Sequence, residues 1–177
     1  MRLQLAEEFV KAGRKLEAIN ELRSVSGMDV FDPQGFYNAG NAFARLGESA
    51  NAIETYRKAI EQRKGNYSRA YNNLGVVLLR IGRWDEAREA LLSAMKLESF
   101  RYAEASYNLG RLYALQGQSD LASREWRRTL SINPKHTAAA DSLRRLGSEE
   151  RVVVASAPKT VAAPKVEKVA NKPTSPF

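Results

Sequence analysis

Asparagine recurs at an interval of 35 residues along the middle of the chain, at Asn38, Asn73 and Asn108, and Asn41 and Asn72 lie beside this row. An amide side chain carries both hydrogen-bond donors and an acceptor, so it can pair with the backbone of an extended peptide whatever the peptide's sequence. The row therefore predicts a surface that binds peptide backbone. The alternative is that these amides stabilise local turns or bind water.

A second row is basic. Lys11, Arg45 and Arg80 each stand two residues before a glycine, and Arg69 and Arg111 are further candidates for the same surface. The planar guanidinium group pairs well with carboxylates and phosphates, so this row predicts selection of an acidic partner. The alternative is a solvated last helical turn, in which cations complement the helix dipole.

The chain offers few residues for enzyme chemistry. His136 is the one histidine in 177 residues, and there is no cysteine. Without a histidine cluster or a Gly-rich phosphate loop, the usual nucleophile and metal arrangements cannot be assembled. We therefore expect no catalytic residue, no metal and no cofactor, and a protein that is not an enzyme. His136 is expected to be a surface or helix-capping residue.

The composition limits the class of partner. A net charge of +8 favours acidic partners, but the arginines follow no nucleic-acid-binding motif and acids are interspersed, so we do not expect nucleic-acid binding. No stretch approaches the ~20 apolar residues of a membrane span. The acidic, amphipathic first residues do not look like a signal peptide, and a cytoplasmic location is expected. A periplasmic or membrane-associated location is the alternative if an upstream signal has been removed.

The elements that position these side chains repeat along the chain. A glycine recurs every 35 residues, followed seven residues later by a second glycine and five residues after that by an alanine. Apolar residues at three- and four-residue steps are typical of helices. The self-similarity predicts stacked units, each made of two helices joined by a turn at the second glycine. These turn glycines are Gly47, Gly82 and Gly117.

The first glycines, Gly40, Gly75 and Gly110, fall in the middle of a predicted helix. Glycine in a helix interior costs about 1 kcal/mol relative to alanine. Its recurrence therefore predicts close approach of a neighbouring helix. We expect the opposing residues on the second helices to be Ala52, Ala87 and Ala122.

These positions resemble the tetratricopeptide repeat (TPR) family, whose pattern combines aromatic residues or leucine with Leu-Gly, two alanines and a final proline. The second repeat supplies Phe36, Gly40, Phe43, Ala52, Tyr56 and Ala59. The third repeat supplies Tyr71, Leu74, Gly75, Leu78, Ala87, Leu91 and Ala94. The fourth repeat supplies Leu109, Gly110, Tyr113, Ala122, Trp126 and Pro134. The resemblance covers most of residues 1–147.

The resemblance implies an all-α TPR solenoid of about four helix-turn-helix repeats. The predicted repeats are 1–32, 33–67, 68–102 and 103–136. The predicted capping helix is 136–147, and the predicted tail is 148–177. The capping helix is expected to end at Gly147, and the Ala-, Pro- and Lys-rich tail is expected to be disordered, because it has too little apolar surface to offset its ordering entropy.

The resemblance also implies a function, that of a non-catalytic adaptor or scaffold binding an extended, possibly acidic partner segment in a concave groove. In several TPR proteins a similar asparagine ladder binds peptide backbone. The partner-binding residues would be Asn38, Asn41, Asn72, Asn73, Asn108, Arg45, Arg69, Arg80 and Arg111. The alternative is a structural subunit or assembly factor of a larger complex, such as a bacterial secretion or pilus apparatus. The oligomeric state stays open.

Overall fold

The computed structural model of the protein describes residues 1–28 and 32–156, with side chains to Ser148. Over these ranges the chain forms nine α-helices and no strand, and the predicted all-α solenoid is confirmed. The helices are α1 (Arg2–Lys11), α2 (Lys15–Ser26), α3 (Pro33–Arg45), α4 (Ser49–Gln62), α5 (Ser68–Arg80), α6 (Trp84–Leu97), α7 (Ala103–Leu115), α8 (Ser119–Ile132) and α9 (Thr137–Ser156).

The first eight helices form four packed pairs, α1–α2, α3–α4, α5–α6 and α7–α8, which we call repeats one to four. In repeat three, Gly82 joins the helices with φ +77°, the left-handed region that glycine adopts without steric cost. The Arg83 amide donates to the Leu78 carbonyl at 3.0 Å, which pairs a carbonyl of the last turn of α5. Gly13, Gly47 and Gly117 have the same conformation, so the predicted turns are confirmed.

The glycines in the first helices make room for a large side chain on the second helix. A Cβ atom added at Gly110 would lie 2.5 Å from Nε1 of Trp126, too close for any real contact. The equivalent glycines also face large side chains, Gly40 that of Tyr56 and Gly75 that of Leu91.

The expected close approach of Ala87 to Gly75 is observed, with the Ala87 backbone oxygen 3.2 Å from a Cβ atom built at Gly75, but the Leu91 side chain lies closer still, at 2.7 Å. Leu91 is one helical turn beyond Ala87, on the same face of α6. The glycine therefore receives the larger residue of this face.

The helix α9 covers the end of the array. Its first turn is capped by His136, whose Nδ1 accepts a hydrogen bond from the Ala139 amide at 3.2 Å, as expected for a capping residue. Ala139 is buried, and Leu143 and Leu146 pack against the cluster formed around Trp126. The apolar side of repeat four is thereby removed from water.

The predicted end of this helix at Gly147 is wrong, because α9 continues to Ser156. Glycine inside a helix costs only about 1 kcal/mol, and no proline follows until Pro158. The boundary between the array and the tail at 147–148 stays a prediction. The rest of the predicted disordered tail, 157–177, lies outside the described residues.

The first helices of the repeats line one side of the array. They contact one another at every step, α1 with α3, α3 with α5 and α5 with α7, whereas the second helices pack this closely only between α2 and α4. The array is therefore tighter on the side of the first helices. None of the helices in 1–28 and 32–156 combines the length and the apolar character that crossing a bilayer requires.

Candidate functional site

A groove of about 880 Å³ runs across the first helices of the repeats. Its lining comes mainly from α3 and α5. The helix α7 contributes Arg111 and Leu115, and α1 contributes Glu7. Six of the nine residues predicted to bind a partner line it together, namely Asn38, Asn41, Asn73, Arg45, Arg80 and Arg111.

A hydrogen-bonded cluster at the boundary of repeats two and three forms part of this lining. Nδ2 of Asn73 donates to Oδ1 of Asn41 at 2.8 Å and to the Tyr37 hydroxyl at 3.2 Å. The hydroxyl of Tyr56 donates to the same Asn41 oxygen at 2.7 Å. Four side chains from three helices are thus held in fixed positions, which orients the Asn41 amide.

The cluster continues into repeat four as a chain of side-chain amides. Oδ1 of Asn73 accepts from Asn72 at 3.1 Å, and Oδ1 of Asn72 accepts from Asn108 at 3.0 Å. Oδ1 of Asn108 in turn accepts from Nη1 of Arg111 at 3.2 Å. Asn72 and Asn108 are only 7% and 6% exposed. Their amides therefore join the stacked repeats below the surface of the groove.

The 35-residue asparagine row does not form one ladder by direct contact of its members. Asn73 and Asn108 each bond backwards, to Asn41 and Asn72 of the preceding repeat, because equivalent positions lie on the edge of the helix that faces that repeat. Asn38, the first member, instead accepts a hydrogen bond from Gln34 of its own helix at 2.9 Å. The 35-residue spacing gives equivalent positions, and the hydrogen bonds of this row join non-equivalent ones.

Two amide groups at the groove have donors to spare. The oxygen of Asn38 accepts from Gln34, and the oxygen of Asn41 accepts from Asn73 and Tyr56. Within the described part of the chain, Nδ2 of Asn38 and Nδ2 of Asn41 bond to no protein acceptor. Each can donate to an incoming carbonyl oxygen.

Three exposed arginines border the groove. Nη1 of Arg80 donates to the Ala44 carbonyl at 3.1 Å, which satisfies a carbonyl at the end of α3. Arg111 bonds to Asn108, as described above, and Arg45 has no hydrogen-bond partner among residues 1–28 and 32–156. The guanidinium groups of Arg45 and Arg80 both lie near the Tyr56 hydroxyl, where their charges favour the phenolate.

Carboxylates do not neutralise these arginines. None of the three forms an ion pair with a described residue, whereas seven other described arginines do, namely Arg2, Arg14, Arg57, Arg83, Arg88, Arg128 and Arg144. Glu7 is the one acidic side chain in the lining. The lining of the groove therefore carries a net positive charge. Arg69 is exposed at the beginning of α5, outside this lining.

Seven residues of the lining were not predicted from the sequence, and Tyr56 and Leu115 are two of them. Tyr56 was expected only as part of the repeat pattern; the residue is 1% exposed, yet it lines the groove and its hydroxyl bonds to Asn41. Burial raises the pKa of this phenol well above its ordinary value. Leu115 stands 35 residues after Arg80 and could have been found by extending the basic row by one repeat.

Comparison with known proteins agrees with this architecture. A sequence model described as "Tetratricopeptide repeat" matches residues 34–98 and 66–135. The chain is similar to YrrB, described as "a TPR protein with an unusual peptide-binding site", with 22% identity and a TM-score of 0.67 over 78% of this chain and 71% of that one. No curated protein matches the sequence.

Two further solved structures have a similar fold. PilF of Pseudomonas aeruginosa is 24% identical, with a TM-score of 0.69 over 86% of this chain and 69% of that one. MamA of Desulfovibrio magneticus RS-1 is 22% identical, with a TM-score of 0.68 over 85% of this chain and 84% of that one. Identities of this size show a common fold and leave each protein's partners its own.

Proposed function

Because the chain belongs to the tetratricopeptide repeat family, we propose that it is a non-catalytic adaptor that binds an extended, acidic segment of a partner protein in its groove. A TPR fold supports a role in protein–protein interaction in general. The observation that carries the finer proposal is the groove itself, where free amide donors stand beside arginines that no carboxylate neutralises.

The amides would hold the backbone of the bound segment. Asn38 and Asn41 line the groove, and each has an Nδ2 donor that no described residue uses. A carbonyl oxygen is the acceptor that every peptide offers. Asn73 keeps the Asn41 oxygen occupied, which leaves only the donor side of that amide for a ligand. Asn72 and Asn108, which the sequence reading also assigned to the partner, would act indirectly, by fixing the stack.

The arginines would select the charge of the segment. Arg45 has no hydrogen-bond partner among the described residues. Arg80 and Arg111 each donate one hydrogen bond to the protein and keep further N–H donors for a ligand. A carboxylate placed between them would gain charge-assisted hydrogen bonds, about twice as strong as neutral ones. Glu7 would repel an acidic side chain placed at its side of the groove.

A matched pair of double variants tests this proposal. The probes are a fluorescein-labelled peptide with several glutamates in a Gly/Ser background and its glutamine counterpart, both capped at the termini and measured by fluorescence anisotropy. We expect the glutamate peptide to bind better than the glutamine peptide. Arg45→Gln combined with Arg80→Gln should weaken binding of the glutamate peptide at least tenfold.

The control double variant removes the same charge away from the groove, through Arg88→Gln and Arg144→Gln. These arginines pair with Asp85 and Asp141 on α6 and α9. Circular dichroism confirms that both variants fold. If the control weakens binding as much as the groove variant, net charge and not the groove binds the peptide, and the proposal fails.

A further inference from the structure

The basic row of the groove changes chemistry in repeat four. Arg45 and Arg80 are the last residues of α3 and α5, and the equivalent last residue of α7 is Leu115. Leu115 is 59% exposed and lines the groove beside Arg80 and Arg111. A cation would be favoured at this helix end by the helix dipole, so leucine gives up that stabilisation and leaves an apolar side chain in water.

Leu115 does not stand alone in this part of the groove. Val76 and Leu79 of α5 line the same groove, and Val76 occupies the position that Asn41 holds one repeat earlier. The groove therefore offers amides and cations across repeats two and three, and an apolar surface bordered by Arg80 and Arg111 where repeats three and four meet. A ligand that matches this groove has polar and acidic groups at one end and an apolar group at the other.

We infer that the bound segment carries a large apolar side chain that packs on Leu115 and Val76, in fixed register with the acidic side chains that pair with Arg80 and Arg45. This inference rests on the proposed function, since it concerns the same groove. The occupant is a protein segment with both kinds of residue, because the charge of the arginines and the apolar surface lie side by side.

The spacing of the arginines sets the register of that segment. Packed helices lie about 8–10 Å apart, and a chain in the polyproline II conformation rises about 3.1 Å per residue with about three residues per turn. One repeat therefore corresponds to about three residues of ligand, and side chains three positions apart face the groove together. Acidic residues facing Arg45 and Arg80 would then be about three positions apart. The apolar residue would follow about three positions beyond the second acid, in one of the two chain directions.

Six capped peptides test this register. One is Glu-Ser-Ser-Glu-Ser-Ser-Leu, a second has Leu→Ser and a third Leu→Glu at its last position, and the other three are the same sequences reversed. Caps remove the terminal charges. In one chain direction we expect the leucine peptide to bind the wild-type protein about tenfold more tightly than the serine peptide, from burial of its side chain.

Replacement of Leu115 provides the specificity test. Leu115→Arg continues the basic row, so it should reverse the order of affinity between the leucine and glutamate peptides. Leu121→Arg on α8 is the control, since Leu121 is 38% exposed and outside the groove, and it should leave the order unchanged.

The outcomes separate this inference from the proposed function. If the glutamate-containing peptides bind but the leucine peptide has no advantage, or Leu115→Arg does not reverse the order, the apolar register is wrong and the acidic groove stands. If no peptide binds the wild-type protein in either direction, the proposed function and the inference fail together.

Discussion

Asn73 of α5 donates a hydrogen bond of 2.8 Å to Asn41 of α3, across the boundary between repeats two and three. The same Asn41 oxygen accepts from Tyr56, and the ring of Tyr56 fills the space left by Gly40. One amide therefore links the packing inside repeat two to the stacking of repeat three. Because stacked repeats owe their stability to such neighbour interfaces, this contact serves the fold as well as the groove.

The link between Asn41 and Asn73 should appear as an energetic coupling. We expect Asn41→Ala and Asn73→Ala each to lower the free energy of unfolding by about 1–2 kcal/mol, because each removes hydrogen bonds of partly buried groups. The double variant should cost less than the sum of the two, with a coupling energy of about 0.5 kcal/mol or more. Urea denaturation followed by circular dichroism measures all four proteins.

Asn38→Ala is the matched control for that cycle. Asn38 occupies the equivalent position to Asn73, but among the described residues its side chain bonds only to Gln34 of its own helix, so its removal should cost no more than about 0.5 kcal/mol. A loss as large as that of Asn73→Ala would show that the repeat boundary is not what these amides stabilise.

For the buried pair formed by Asn72 and Asn108, we expect one replacement to lower the free energy of unfolding and the second replacement to raise it again. Asn108→Leu leaves the Asn72 oxygen buried without its donor, and we expect a loss of about 1–3 kcal/mol. Replacing both residues by leucine removes the unpaired Asn72 oxygen and should recover part of that loss; the recovery stays incomplete because the Asn73 oxygen then loses its donor, Asn72. The same urea titrations decide this, and a double variant that is less stable than either single variant would contradict it.

Much of this fold could be predicted from the sequence because its signals are local and repeated. The turn glycine Gly82 and the helical glycine Gly75 have counterparts one repeat away in each direction, so each assignment was tested several times within one chain. The groove followed from the same spacing, since equivalent residues of stacked units must lie on one side. Arg45 and Arg80 were placed together in this way.

The contacts between repeats could not be predicted in the same way. The period of the sequence identifies equivalent positions in successive repeats. The contacts join non-equivalent positions, such as Asn41 with Asn73 and Asn72 with Asn108. Which positions meet depends on the angle at which the helices cross. The end of α9 was missed for another reason. A single glycine resembles a helix terminator, and only the backbone conformation distinguishes Gly147 from the turn glycines.

Two alanine substitutions test this distinction between glycines. Gly110→Ala should destabilise the protein by about 1–3 kcal/mol, because a Cβ atom would overlap Trp126 at 2.5 Å. Gly147→Ala meets no atom within 4 Å and lies inside α9, so it should stabilise the protein by up to about 1 kcal/mol through helix propensity. Thermal melts measure both, and a destabilising Gly147→Ala would indicate that the helix ends there after all.

Stability at alkaline pH should report on Tyr56. Burial raises the pKa of its hydroxyl, so above about pH 10 the unfolded chain loses this proton while the folded protein keeps it. Fewer protons bound in the unfolded state mean that the free energy of unfolding falls as pH rises, by up to about 1.4 kcal/mol per pH unit for one such group. Tyr56→Phe removes this residue's contribution and also the hydrogen bond to Asn41, while Tyr67 and Tyr102, whose pKa values burial also raises, keep theirs.

The variant should therefore be less stable than wild type at pH 7, by about 1 kcal/mol, and the difference should shrink between pH 10 and pH 11. Asn41→Ala is the control, because it breaks the same hydrogen bond and keeps the buried phenol. Its free energy of unfolding should follow the wild-type curve downward at a constant offset. If Tyr56→Phe also follows that curve at a constant offset, the phenol ionises over the same pH range in the folded and the unfolded protein, and burial does not raise its pKa.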